Sequence, residues 1–178
     1  MRRAFEAVLR KSAESLGLAL VYDVAHNIAK FERHRTSEGT VRCLVHRKGA
    51  TRSFPPGHPD VPAAYRAVGQ PVLVPGDMGR YSYVLLGTEG AYRETFGSTC
   101  HGAGRRLSRH QAKKLARSRN ILKELESQGV LIRAATRATV DEEMPEAYKD
   151  VSRVVDVVHS AGIGRKVVQL KPVGVVKG

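Results

Sequence analysis

Apolar and polar residues alternate with different periods along the 178-residue chain, and each period predicts a different element. Over residues 2–16, Phe5, Val8 and Leu9 share one face while Arg, Lys and Glu take the other. This predicts an amphipathic helix that Gly17 ends. The run LALVYDV at 18–24 is short, apolar and rich in Val and Tyr, as a buried strand is. His26 and Asn27 then fall at a strand-to-helix junction, with Asn27 able to cap the helix. TVRCLVH at 40–46 alternates with the strand period, and KGATRSFPPGHPDVP after it reads as a long loop. QPVLVPG (70–76) and RYSYVLLGT (80–88) flank a tight GDMG turn.

From Ser108 the period lengthens. SRHQAKKLARSRNILKELESQG predicts one or two charged helices stopped by Gly129. VLIRAAT is strand-like, PEAYKDVSRVVDVVHSAG is helical, and RKVVQLKPVGVVKG ends the sequence with strand-like apolar residues. Strands and helices mix without regular βαβ alternation, so the expected class is α+β, as one domain over 1–178.

Charge changes the picture more than composition does. Thirty Lys+Arg against 17 Asp+Glu give +13, with a pI near 10.2, which points to a polyanionic partner such as nucleic acid. Cys43 and Cys100 form no CxxC pair, so neither a disulfide framework nor a zinc finger is indicated. No apolar run is long enough for a membrane span and the first residues lack a signal-peptide core. The expectation is a soluble, cytoplasmic protein.

Four patches carry candidate chemistry, each with a plain structural alternative. DVAHNIAK offers His26 as a metal ligand or a core histidine. VHRKGATR gathers His46, Arg47, Lys48 and Arg52 around one glycine, as an anion site or a solvated loop. VPGDMG offers glycine-flanked N–H groups and Asp77, or an ordinary turn. STCHGAGRR is either a Gly-rich turn before a helix with a buried or solvated histidine beside it, or an anion cradle in which Gly102 and Gly104 let backbone approach a phosphate and the helix beginning near Ser108 adds positive charge at its N-terminus. A neutral imidazole there, His101, is a competent nucleophile at phosphorus, because its ordinary pKa near 6.5 leaves the free base abundant at neutral pH.

Taken in order, VYDVAHNIAK, VHRKGATRSFPPG, GQPVLVPGDMG, FGSTCHGAGR, MPEAYKDV and KPVGVVKG closely resemble the carboxy-terminal part of RtcB-type RNA-splicing ligases. The resemblance runs over essentially the whole chain. It implies joining of RNA ends bearing a 2′,3′-cyclic phosphate or 3′-phosphate to 5′-hydroxyl ends, in tRNA splicing or RNA repair, with GTP and Mn²⁺. It implies that His101 is guanylylated and that His26 is a manganese ligand. Asn27, Pro75, Gly76, Asp77, Met78, Ser82, Gly102, Ala103, Gly104 and Lys177 match positions around the guanylate, and Tyr148 an aromatic against the guanine. In these roles Arg105 and Arg109 would hold phosphates, Lys48 would extend the positive surface toward RNA, and Lys177 would donate to guanine O6 or N7.

Two departures qualify the resemblance. The family usually has serine where this chain has Asp77, which adds a negative charge near a nucleotide. The amino-terminal part of longer members, which brings an acidic residue, a cysteine and two further histidines to the metals, has no counterpart here. Cys43 and Cys100 do not match that cysteine's motif. The expected partners are therefore RNA, GTP and a separate amino-terminal half or activating protein, without a membrane. The alternative is a catalytically incomplete remnant that binds RNA or nucleotide.

Overall fold

An antiparallel ribbon, β1 (Asn27–Thr36) with β2 (Gly39–Lys48), begins at the histidine motif and runs in register from Asn27↔Lys48 to Thr36↔Gly39. The computed structural model describes residues 1–177. Asn27 thus starts a strand rather than capping a helix. The reason is an inverted alternation: the inward face of β1 carries Glu32 and His34, both buried, while Phe31 faces outward and is 64% exposed. Arg47, also buried, meets Glu32 through Nη1 (2.7 Å) and Nη2 (2.8 Å), and His34 Nε2 lies 2.9 Å from the same carboxylate. Burial alone pushes the Glu32 carboxyl up. Hydrogen bonds from Arg47 and His34 more than offset that, so its pKa lies below the ordinary range.

Residues 18–24, expected as a buried strand, pair with no other strand, and Leu20 and Val21 are largely exposed. An apolar run becomes a strand only where a partner takes its backbone groups. The first helix, α1 (Arg2–Leu9), is shorter than its amphipathic pattern, because Arg10 turns left-handed at φ 51°.

The loop expected after residue 47 contains a short strand, β3 (Ala50–Arg52), which later pairs with β6 (Ser98–Cys100). Between them lie α2 (Ala63–Arg66), the hairpin β4 (Pro71–Pro75) and β5 (Ser82–Leu86), and α3 (Glu89–Glu94). The hairpin follows the sequence expectation closely. It forms a three-stranded antiparallel sheet with β8 (Arg165–Leu170). Over that sheet packs α7 (Val151–Ser160), and Val151, Val155 and Val158 meet Val72, Val74 and Leu85 in one core.

The charged segment after Ser108 makes two helices, α4 (Arg109–Ala116) and α5 (Ile121–Ser127). Ser108 and Gln111 close a reciprocal capping box at the start of α4. Gly129, at φ 81°, follows α5 as expected. β7 (Leu131–Ala134) comes next, then α6 (Arg137–Glu142), a helix capped by Thr136 that the sequence pattern did not signal. β9 (Gly174–Lys177) runs parallel to β7, so the terminal apolar stretch divides between two sheets. These elements enclose a second core of Met78, Ala116, Ile121, Leu125, Ile132 and Met144.

One division matters for the site. The expected helix from Pro145 breaks into a single 3-10 turn, Pro145–Ala147, an extended Tyr148, and then α7, whose Asp150 cap accepts from Ser152 N at 2.9 Å. The whole is α+β, several small sheets with flanking helices.

Candidate active site

Three segments converge on Gly49. It links β2 to β3 at φ 70°, and its N–H donates to the His26 carbonyl at 3.2 Å. Ala50 pairs with Cys100, so His101 emerges beside the same turn; a Cβ at residue 49 would lie 3.6 Å from His101 Nε2. The imidazoles of His26 and His101 consequently stack, centroids 5.1 Å apart and 12° from parallel. Burial, and then the neighbouring His26, hold the His101 pKa below 6.5, so the ring is neutral at physiological pH. Lys48, exposed, pairs across the ribbon with Asn27 and brings its charge to this end of the strands.

After His101 the backbone runs against the end of β4. Ala103 N donates to the Pro75 carbonyl at 3.0 Å, and a Cβ at Gly102 would lie 3.1 Å from that oxygen. Gly104, at φ 75°, accepts from Lys149 N at 2.9 Å. The Ala103 N–H is thus committed to protein, while its side chain is buried in the core under α7.

Beside Pro75 opens a cavity of about 280 Å³, lined by Pro75, Gly76, Asp77, Met78, Ser82, Tyr148 and Lys177, together with Glu143, Pro172, Gly174 and Val175. Seven of the positions singled out from the sequence meet here, drawn from β4, β5, the break before α7 and β9. Gly76 is required: a Cβ there would lie 2.1 Å from the Tyr81 carbonyl. Its N–H donates to Ser82 Oγ at 3.4 Å.

Glu143, which follows α6, organises the far wall and was not foreseen; only its place immediately before the MPEAYKDV motif could have drawn attention to it. Its carboxylate accepts from the Tyr148 hydroxyl and from Arg105 Nη1 (3.1 Å), and lies 3.6 Å from Lys177 Nζ. Burial first, and Glu143 second, push the Tyr148 phenol up to about 12. Arg105 also donates to the carbonyls of Leu107 (3.1 Å) and Glu142 (2.6 Å) and to the Tyr148 hydroxyl (3.1 Å), and lies over the tyrosine ring. Its guanidinium therefore holds the cavity wall. Arg109, at the start of α4, is largely exposed and lies 3.6 Å from Glu142, away from Arg105's contacts with Glu143.

Asp77 sits in this wall with its side chain fully buried. One oxygen accepts from the N–H groups of Gly79 and Arg80 (both 3.0 Å), and the other from Arg80 Nε (2.6 Å). Arg80 Nη2 continues to the carbonyls of Pro145 (2.8 Å) and Tyr148 (3.2 Å). The charge that Asp77 adds is neutralised by Arg80, and the pair ties the β4–β5 turn to the segment that carries Tyr148. Met78 turns into the second core.

The donor set on the histidine side is thin. Among the described residues, no group of three or more His, Cys, Asp or Glu side chains converges to hold a metal ion. Among the described residues, His26 and His101 make no hydrogen bond through their rings. Burial raises the Cys100 thiol, so it is not a ready thiolate donor. These residues do not by themselves fit a Mn²⁺ site, which needs several donors.

The family model for tRNA-splicing ligase RtcB matches residues 1–178. The chain belongs to the RtcB family. A tRNA-splicing ligase RtcB of Thermococcus kodakarensis is 56% identical over all of this chain, which spans 37% of that relative. The Archaeoglobus fulgidus protein of the same name is 55% identical with the same coverage, and that of Pyrococcus abyssi is 56% identical over 19% of its length. The chain thus covers little more than a third of the length of its RtcB relatives, and less of some. No helix among the described residues is long and apolar enough to cross a membrane.

Proposed function

We propose that the chain forms the guanylate-handling part of a GTP- and Mn²⁺-dependent RNA ligase, joining 3′-phosphate or 2′,3′-cyclic phosphate ends to 5′-hydroxyl ends in tRNA splicing or RNA repair. The observation that carries this reading is the cavity beside Pro75. Seven residues chosen for a guanylate line it, next to the backbone that leads from His101. In this reading Tyr148 and Lys177 face the base. The Lys177 ammonium, steadied by Glu143, donates to acceptors that guanine presents together.

His101, neutral and partly desolvated, attacks the α-phosphorus of GTP. A P–N bond forms, the bond to the bridging oxygen breaks and pyrophosphate leaves, and the ring loses its N–H proton to solvent. The GMP then passes to an RNA 3′-phosphate, and the 5′-hydroxyl displaces it. Bound Mn²⁺ would neutralise phosphate charge. His26 is the one ligand contributed here, so further donors must come from outside these residues, and no step is assigned through the metal.

The test supplies labelled GTP and Mn²⁺ to the chain mixed with the amino-terminal part of the Thermococcus kodakarensis relative. Acid-labile, alkali-stable label should appear, vanish in His101→Ala and persist in His46→Ala. Label surviving in the His101 variant would refute the assignment. A second reading, nucleotide and RNA binding without catalysis, applies to the chain on its own and is favoured by its single metal ligand.

A further inference from the structure

The outer side of α7 carries a second, separate concavity. About 740 Å³ in volume, it is lined by Arg80, Arg106, Lys149, Asp150 and Arg153 and by three valines of α7, Val154, Val157 and Val158. The inward valines of α7 are spent on the core. Val154 and Val157 instead form an apolar floor, and Val157 is 69% exposed. Around that floor stand cations with little else to do. Arg106 is fixed by its backbone, whose N–H donates to the Ala147 carbonyl at 2.8 Å. Lys149 is fixed in the same way by the Gly104 carbonyl, and Arg153 rides on α7. Among the described residues the side chains of Arg106, Lys149 and Arg153 form no ion pair and no hydrogen bond, and all three are exposed.

The anion at this place is already engaged. Asp150 caps α7 through Ser152 N, and Arg80 is held by Asp77 and backbone carbonyls. Arg106, Lys149 and Arg153 outnumber Asp150, whose bond to Ser152 N leaves its charge in place, so a net positive rim surrounds the apolar strip. Nor is the concavity isolated from the nucleotide cavity. Arg80 and Arg106 also line an intervening hollow of about 270 Å³ that reaches Tyr148, and Tyr148 in turn lines the guanylate cavity.

We propose that this groove binds single-stranded RNA, with Arg106, Lys149 and Arg153 on successive phosphates and a base laid against Val154 and Val157. The occupant needs regularly spaced negative charge beside flat apolar surface, which a nucleic-acid strand provides and a hydrated acidic peptide does not. A lipid surface would need a protruding patch, whereas this one is recessed. The choice of RNA rests on the ligase reading; the groove itself does not.

Fluorescence anisotropy with a short unstructured RNA tests it on the 178-residue chain. Arg106→Ala/Arg153→Ala should weaken binding by about tenfold or more at low salt. The slope of log affinity against log salt should shrink by about 1.4, at roughly 0.7 per lost phosphate contact on a single strand. Arg153→Lys should keep the slope, and GTP affinity at the cavity beside Pro75 should be unchanged in every variant. A parent chain that binds RNA while the double variant matches it in affinity and slope overturns the groove and leaves the ligase reading standing. Loss of binding to anionic phospholipid vesicles, with RNA binding intact, likewise overturns it in favour of a membrane surface. A parent chain with no RNA affinity overturns the groove. Failure to label His101 in the mixture with the relative's amino-terminal part, with RNA binding intact, counts against the ligase reading alone.

Discussion

The two sides of the candidate active site are built to different standards. On the guanylate side, Glu143, Tyr148, Arg105 and Lys177 hold one another, and Asp77 with Arg80 locks the adjoining turn. On the histidine side, two imidazoles stack face to face, with no side-chain hydrogen bond among the described residues. A pocket whose donors are already fixed loses little ordering entropy when a ligand arrives. His26, the proposed metal ligand, has no such support. In the proposed function, nucleotide recognition therefore lies within these residues, while the chemistry depends on donors from elsewhere.

The comparison can be broken first through the fold that supports the histidines. Arg47 is buried between Glu32 and the 96–98 turn that leads into β6, donating to the Phe96 carbonyl (2.8 Å) and Ser98 Oγ (2.9 Å). Arg47→Met would strand the Glu32 carboxylate and should cost about 3–5 kcal/mol in urea unfolding. A cost under about 1 kcal/mol would mean the network is not what anchors β6. The same network sets an acid limit. Because the folded pKa of Glu32 lies below 4.5, its contribution to stability is present above the unfolded value and lost as pH falls through the folded one. Stability should therefore decline below about pH 4, and Glu32→Gln should flatten that decline.

On the guanylate side, Lys177→Met should weaken GTP binding by about 1–3 kcal/mol, as for loss of a charged base-edge contact, with folding nearly unchanged. Calorimetry showing equal affinity would make Lys177 a partner of Glu143 only.

The smallest effect sharpens the same wall. Tyr148 should keep its proton to about pH 12 in an ultraviolet titration. The raised value means that its link to Glu143 persists below the unfolded pKa near 10 and is lost only as pH rises through 12. Glu143→Gln should bring the phenol part of the way back, since burial, the larger cause, remains.

Legibility in the sequence followed the same division. The hairpin of β4 and β5 was plain, because its apolar residues face a core and its turn residues are conventional ones. β1 was not, because its inward positions are Glu32 and His34, whose burial is supported by Arg47 from the partner strand. The residues that the resemblance assigns to a guanylate lie in distant motifs, and the fold brings seven of them to one cavity. Glu143, Arg80 and the groove beside α7 stayed hidden. Each acts through a neighbour remote in sequence, as Arg80 does through the Pro145 and Tyr148 carbonyls.

The central claim is that these 178 residues recognise GTP but cannot activate it. The direct measurement incubates the purified chain alone with labelled GTP and Mn²⁺, following binding by equilibrium dialysis and covalent label after denaturation. The account predicts GTP bound and displaceable, with no label on His101 until the amino-terminal part of a relative is added. Robust label on His101 in the chain alone would contradict it, placing a working metal site among residues such as Cys100 or His46.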